Sequence, residues 1–454
     1  MKVRCRLTDG HSSVASPSSS ALRPEQPAAS AAQAPRRRWL IAFILAFGVL
    51  VNYFDRVNLS VAKQALEKDF GMSNIVFGYL LSAYNWTYAA LQLPSGVLLD
   101  RFGVATIGRM SALIWTAACF LGAFSPGLKT FFGSRLLLGV GEAPTFPANA
   151  KATGYWFARA ERSLATANFD SAAKFSTAIG TISIGILLIR FGWRVAFGVT
   201  GFASFLFFLA FYFVYRDPDK DRHLSPAEHK YLAENGAVIK HEGSQAGVSL
   251  GYLIKKRKVI GLSLGFAAYN YCFYLLLTWL PTYFTGGLHL SLHQSVIYTS
   301  IPWFFATGAD LLFGGWLVDA LVKRGNNESL KRQTVLIGGM VLGLALLGPI
   351  FTRTPLTAVW WISIAISGLA ASAPVAWSLP SLLAPRDSVG KVGGIMNFAN
   401  QIAAVAAPVV TGYLIGKKSD FTHAFMAAAI VLLIGIAGYA FLLGKIEKIP
   451  EPAE

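Results

Sequence analysis

Runs of about 20 mostly apolar residues, the length an α-helix needs to cross a bilayer's hydrocarbon core, recur about twelve times along this chain. A soluble domain carries about a quarter charged residues, whereas this one is 14% charged and 54% hydrophobic. Only helices and closed barrels satisfy their backbone groups within lipid, and runs this long and continuous read as helices. The fold class they imply is an all-α membrane protein with about twelve transmembrane helices.

The formal net charge of +17 could suggest a nucleic-acid partner, but the placement of the charges argues otherwise. With the spans alternating across the membrane, the basic blocks RRRW, KKRK, VKRG and APRDSVGK all fall on one side. That is the positive-inside bias of cytoplasmic loops. It predicts a multi-pass protein of the cell membrane with both termini cytoplasmic, whose bulk partner is the lipid bilayer and not nucleic acid. Cys5, Cys119 and Cys272 are far apart and suggest neither a disulfide framework nor a metal site. Residues 1–35, rich in Ser, Ala and Pro, read as a disordered cytoplasmic tail.

A polar stretch divides the chain into a first half over 36–215, a cytoplasmic linker over 216–257, a second half over 258–445 and a tail over 446–454. Within the linker, SPAEHKYL predicts a short amphipathic helix with Ser225 as its N-cap. The halves echo each other. GVLLDRFG follows the second span and GGWLVDALVKRG follows the eighth, and a weaker echo links ERSLATANFD with GKVGGIMNFAN. Motifs at matching positions indicate an internal repeat, here two pseudo-symmetric bundles of six helices. In the first echo, Asp100, Arg101, Asp319 and Arg324 are candidates for a clasp in which carboxylates accept hydrogen bonds from helix N-termini.

Charges inside the spans are rare. Even the mildest insertion scale charges about 2.5–3.5 kcal/mol for each, so those retained face a cavity or a partner. They are Asp55 and Arg56 in the first span, Arg135 and Glu142 in the fourth, Asp170 and Lys174 in the fifth, and Asp310 in the eighth. Neighbouring residues on a helix point about 100° apart, so Asp55 and Arg56 cannot easily satisfy each other. Interior charges of both signs suit the movement of an anion together with a proton.

From about residue 36 onward the chain resembles the major facilitator superfamily, and within it the anion:cation symporters that include galactonate, hexuronate and glucarate permeases and sialin-type carriers. The resemblance rests on NYFDRVNLSVA, SAYNWTYAALQLPSGVLLDRFG, SRLLLGVGEAPTFPANAKATGYWF, FYLLLTWLPTYF and VAWSLPSLLAPRDSVGKVGGIMNF. It departs at Val104 and Ala105, where many members carry a basic pair, and at Ala173, where relatives carry a substrate-contacting Gln.

The resemblance implies proton-coupled uptake of an organic anion, such as an aldonate, hexuronate or glucarate, by alternating access in a bacterial inner membrane. Arg56 would contact the substrate carboxylate, its planar fork matching a planar anion. Tyr88, Trp377 and Asn397 would line the cavity. Asp55 and Glu142 would take up protons, with Arg135 on the face of Glu142. Tyr274 belongs to a hydroxyl-rich cluster in the seventh span, where no Arg waits for a phosphate. Asp170 and Lys174, four residues apart, can pair along one helix face, or Lys174 can offer a second cation to the substrate. Asp310 reads either as a packed polar contact or as a second proton site. An ATP-driven pump would need a phosphate-cradling GxxxxGK[ST] loop, and an enzyme a constellation such as HExxH or CxxC. Neither is found, so the expectation is a monomeric carrier without cofactor or metal. Tartrate, aromatic acids and a sensor role stay open alternatives.

Overall fold

Glycines, prolines and capping side chains decide where the apolar runs start, bend and stop. The computed structural model describes residues 37–158, 161–237, 248–323, 327–352, 354–385, 388–416 and 419–451. The tail read over 1–35, and Arg324, lie outside the described residues.

Helix α1 (Arg37–Val61) runs into the short α2 (Lys63–Phe70), which ends at Gly71 in the left-handed region. α3 (Asn74–Ala123) begins at Ser73, whose hydroxyl accepts from the Val76 amide. It folds back on itself at Gly103, where φ is 79°. α4 (Leu128–Glu142) and α5 (Thr145–Trp156) form one crossing, interrupted at Ala143 and Pro144. α6 (Arg162–Val214) folds back at Gly192 with φ 81°. Both reversals follow an Arg-Phe pair, and both need a residue without Cβ in that backbone region.

In the linker, α7 (Pro226–Glu234) is capped by Ser225, which accepts from the Glu228 amide at 3.1 Å, as the sequence implies. The short α8 (Leu250–Ile254) follows. The second half comprises α9 (Arg257–Thr282), α10 (Leu292–Ala309), α11 (Val318–Lys323), α12 (Glu328–Gly343), α13 (Pro355–Leu383), α14 (Val389–Leu414) and α15 (Thr422–Ala437). π-helical stretches extend α9 over Tyr283–Gly287, α10 over Asp310–Leu317 and α15 over Gly438–Leu443.

Among the described residues nine helices are long and apolar enough to cross a membrane. The Asn168–Val214 stretch counts as two once split at Gly192, and the first arm of α3 and the α4–α5 pair supply the other crossings. The fold is all-helical, two six-helix bundles side by side. Residues 261–265, GLSLG, have the GxSxG spacing of a nucleophile elbow, but they lie inside α9 and not on a strand–turn–helix. There Gly265 lets the Tyr439 ring lie against the backbone.

The start of α1, the linker and the end of the chain meet on one face. Arg37 pairs with Asp221 at 2.9 Å, and Arg38 with Glu228 at 3.1 Å and Glu161 at 3.0 Å. The Ile449 amide donates to the Leu383 carbonyl at 2.8 Å. Hydrogen bonds between the bundles run along the opposite half. Ser60 donates to the Thr278 carbonyl at 2.7 Å, Ser82 to Val405 at 2.8 Å and Asn85 to Ala404 at 3.2 Å. Gly78 and Gly412 let α3 and α14 touch there, a Cβ at either position falling 2.7 Å from a facing carbonyl oxygen.

Candidate functional site

Arg56 lies on α1 with its guanidinium 7% exposed, enclosed by aromatic rings. Its Cζ is 4.4 Å from the Tyr53 ring centroid, 4.8 Å from Tyr84 and 5.7 Å from Tyr88. It donates to the Tyr84 hydroxyl at 2.5 Å and, across the bundle seam, to the Tyr274 hydroxyl at 3.3 Å. Glu142 Oε2 accepts from it at 3.4 Å. Ring faces hold a weakly hydrated guanidinium well, and the hydroxyls leave it hydrogen-bonded without neutralising it. Arg56 Nε stays without a partner.

Glu142 is fully buried at the end of α4, where the Ala143–Pro144 interruption separates it from α5. Its Oε1 has no hydrogen bond. The pairing differs from a brace to Arg135 on the same helix, because the carboxylate turns toward α1.

Asp55 points away from its neighbour into the first bundle. Its Oδ2 accepts from Trp115 Nε1 at 2.6 Å and from the Ser204 hydroxyl at 3.4 Å. Arg135, 5% exposed, is within electrostatic reach of Asp55 and Glu142, yet makes no hydrogen bond or ion pair among the described residues. Arg56 and Arg135 both line a small space, together with Tyr84, Asn85, Tyr274 and Thr278 among others.

None of the remaining expected residues is among the contacts of Arg56 in the described residues. Trp377 on α13 is 48% exposed and meets Phe266 edge-on at 5.0 Å. Asn397 on α14 accepts from Asn400 at 3.4 Å, and the Asn400 carbonyl accepts from Asn270 at 2.8 Å. Lys174, read as a cation for the substrate or for Asp170, is flanked by two carboxylates: Asp170 at 2.6 Å and Asp310 at 3.2 Å. Of the clasp residues, Arg101 is exposed with its guanidinium over Phe102. Asp100 and Asp319 sit in helices, but their side chains, like all of Arg324, are outside the described residues.

The sequence reading passed over Tyr53, Tyr84 and Trp115. Tyr84 is one turn before Tyr88 and Tyr53 is three residues before Arg56, so helical spacing alone places both beside the guanidinium. Trp115 offers no such signal, since its contact with Asp55 joins two helices.

A sequence profile described as the Major Facilitator Superfamily matches residues 45–408. The chain belongs to this superfamily. Among its superfamily relatives, the "Uncharacterized transporter YybO" of Bacillus subtilis (strain 168) is 40% identical over 91% of this chain and 95% of its own. The "D-galactonate transporter" of Escherichia coli O6:H1 is 31% identical over 92% of this chain and 99% of its own. The "Probable galactarate/D-glucarate transporter GarP" of Escherichia coli (strain K12) is 32% identical over 90% and 96%. The superfamily fold is seen in a bacterial homolog of the human lysosomal transporter Spinster, inward-facing and occupied, with a TM-score of 0.71 at 16% identity over 89% of this chain and 96% of that one. A D-xylose-proton symporter superposes with a TM-score of 0.68 at 17% identity over 90% and 98%.

Proposed function

We propose that this major facilitator carries a hydroxylated organic anion, a sugar acid such as an aldonate or aldarate, together with protons. The observation that carries the reading is the Arg56 cage: a buried guanidinium ringed by tyrosine hydroxyls, its one ionic partner among the described residues being Glu142 at 3.4 Å. A planar carboxylate can take the fork of Arg56 in place of Glu142, and hydroxyls suit the polyol. The curated relatives named for galactonate and for galactarate or glucarate agree with that chemistry.

The coupling follows from sharing one cation. When the substrate's carboxylate engages Arg56, Glu142 loses its partner while fully buried, and a buried carboxylate without a cation is neutralised by a proton. Anion and proton then load together. When the anion leaves, Arg56 returns to Glu142 and the proton is released. Asp55, tied to Trp115, and Arg135, tied to neither carboxylate, form the second part of the relay, Arg135 being free to serve either side. Tyr88, Tyr274, Trp377 and Asn397 contact the substrate. The linker face is cytoplasmic, as its basic loops suggest, and the cross-bundle bonds at the opposite half hold the external side shut in this conformation. The clasp of Asp100, Arg101, Asp319 and Arg324 is assigned to the cytoplasmic side from the paired loop motifs of the sequence alone.

Reconstitution tests this directly. Counterflow of labelled D-galactonate or D-glucarate in proteoliposomes, and accumulation driven by a pH gradient alone, are expected. Absence of counterflow for every hydroxylated acid tried, with sulfoacetate or an aromatic acid moving instead, would overturn the substrate class. Accumulation indifferent to the pH gradient would overturn the coupling.

A further inference from the structure

Lys174 and its two carboxylates take no part in the mechanism above. Lys174 Nζ lies 2.6 Å from Asp170 Oδ2, one turn earlier on α6, and 3.2 Å from Asp310 Oδ2 on the other bundle. Lys174 is 5% exposed and Asp310 4%. The Asp170 side chain, 28% exposed, is the open end of the cluster. Asp310 Oδ1 has no hydrogen-bond partner among the described residues. Asp310 also opens the π-helical stretch Asp310–Leu317, a distortion of the helix frequent at functional sites.

Charge counting decides what this cluster needs. One ammonium between two ionised carboxylates leaves one uncompensated negative charge where an unpaired ion costs several kcal/mol. Among the described residues no second cation pairs with the cluster. Tyr269 from α9 and Tyr53 from α1 are the other titratable groups within electrostatic reach. α13, packed along the π-helical stretch, contains no charged or titratable residue. His293 and Tyr298 lie toward the other end of α10, and Asp319 and Lys323 lie further along in α11. The missing positive charge is therefore a proton. Asp170, the more open carboxylate and the closer to Lys174 at 2.6 Å, can remain ionised against it, whereas enclosed Asp310 has a free oxygen to carry the hydrogen.

We propose that Asp310, Lys174 and Asp170 form a second proton-carrying site, separate from the Arg56 cage, with the proton on Asp310 Oδ1 while Lys174 bridges the two bundles. Because the bridge spans the α6–α10 seam, rocking of the bundles separates Lys174 from Asp310 and admits water. A hydrated Asp310 gives up its proton to the face of the membrane on which the seam opens, and is reloaded from the opposite face in the alternate conformation. The site thus adds one proton to each cycle of the carrier. This rests on the proposed symport for its transport consequence, but the protonation itself is independent of any substrate.

The test has two arms. In substrate-free wild-type protein at neutral pH, infrared spectroscopy with deuterium exchange is expected to show a protonated-carboxyl band that disappears in Asp310→Asn. The same band should disappear in Asp170→Asn, which leaves one carboxylate per ammonium and lets Asp310 ionise. In proteoliposomes with D-galactonate or D-glucarate as probe, both variants should lower the proton-to-substrate ratio by one. That is about tenfold less accumulation per unit of pH gradient, with counterflow kept. If Asp310→Asn does not fold, Asp170→Asn at the half-exposed end of the cluster carries both readouts. A band and a ratio unchanged in the folded variants would overturn the proposal. Failure of wild type to move either acid would count against the symport reading alone, leaving the infrared arm to decide this one.

Discussion

Trp115 donates its indole N–H to Asp55 at 2.6 Å, and its backbone lies against Gly141, the residue before Glu142. A Cβ on Gly141 would fall 2.6 Å from the Trp115 amide nitrogen, so the tryptophan is wedged between the two carboxylates proposed to carry protons. Helix geometry already turns Asp55 away from Arg56, and the indole N–H holds its carboxylate there.

Trp115→Phe is therefore expected to loosen coupling more than binding. The phenyl fills most of the space but leaves Asp55 without its shortest hydrogen bond, a loss of about 1–3 kcal/mol for a buried acceptor. Thermal unfolding should record a lower midpoint, and accumulation at a fixed pH gradient should fall while counterflow persists. Equal losses of both activities would show that the indole supports the whole bundle and not Asp55 in particular.

Arg56→Lys keeps the charge and loses the fork. A point-like ammonium cannot reach Tyr84, Tyr274 and a carboxylate together, and one charge-assisted hydrogen bond is worth about 1.5–3 kcal/mol. Uptake at limiting substrate is expected to fall about tenfold or more, at 1.4 kcal/mol for each factor of ten. Near-normal uptake would mean that Arg56 serves the fold alone.

Neutralising Glu142 as Gln, or Asp55 as Asn, is expected to abolish accumulation driven by a pH gradient. Glu142→Gln should keep exchange, since exchange needs no net proton release and the amide still fits beside Arg56. The decisive comparison is accumulation against counterflow in the same vesicles. Two variants that both still concentrate substrate would refute the assignment of these carboxylates.

The architecture was legible because lipid imposes it. Apolar length, basic loop placement and the paired loop motifs led to two six-helix bundles, and the capping chemistry of Ser225 led to α7. The charged residues were legible as a set, since each is costly where it sits. Their partners were not. Glu142 could meet Arg135 on its own helix or Arg56 on another, and only the assembled bundle, with α1 laid along α6, chooses Arg56. Lys174 invited an i,i+4 pairing with Asp170, which forms, but nothing in the local sequence indicated that Asp310 would arrive from the other bundle. Tyr84 and Trp115 look like ordinary core aromatics until the helices are assembled.

Gly78 and Gly412 make a different kind of prediction, about which conformation the carrier prefers. Each allows α3 and α14 to touch at the end away from the linker, and a Cβ at Gly78 would sit 2.7 Å from the Pro408 carbonyl oxygen. That is inside contact distance, and the obstacle is backbone, which cannot rotate aside. In Gly78→Ala the helices must part slightly, an overpacking cost of about 1–3 kcal/mol. The cost falls only on conformations in which this end is shut, because the methyl meets nothing once α3 and α14 separate. The equilibrium should therefore shift toward opening there, by about tenfold for each 1.4 kcal/mol. Thr278, whose carbonyl accepts from Ser60 across the same seam, is a suitable reporter. With Cys5, Cys119 and Cys272 replaced and Thr278→Cys introduced, a membrane-impermeant thiol reagent on that side should label Gly78→Ala about tenfold faster than its Gly78 parent. Unchanged labelling together with intact transport would show that the seam absorbs the methyl, and that closure of this end does not depend on the glycine.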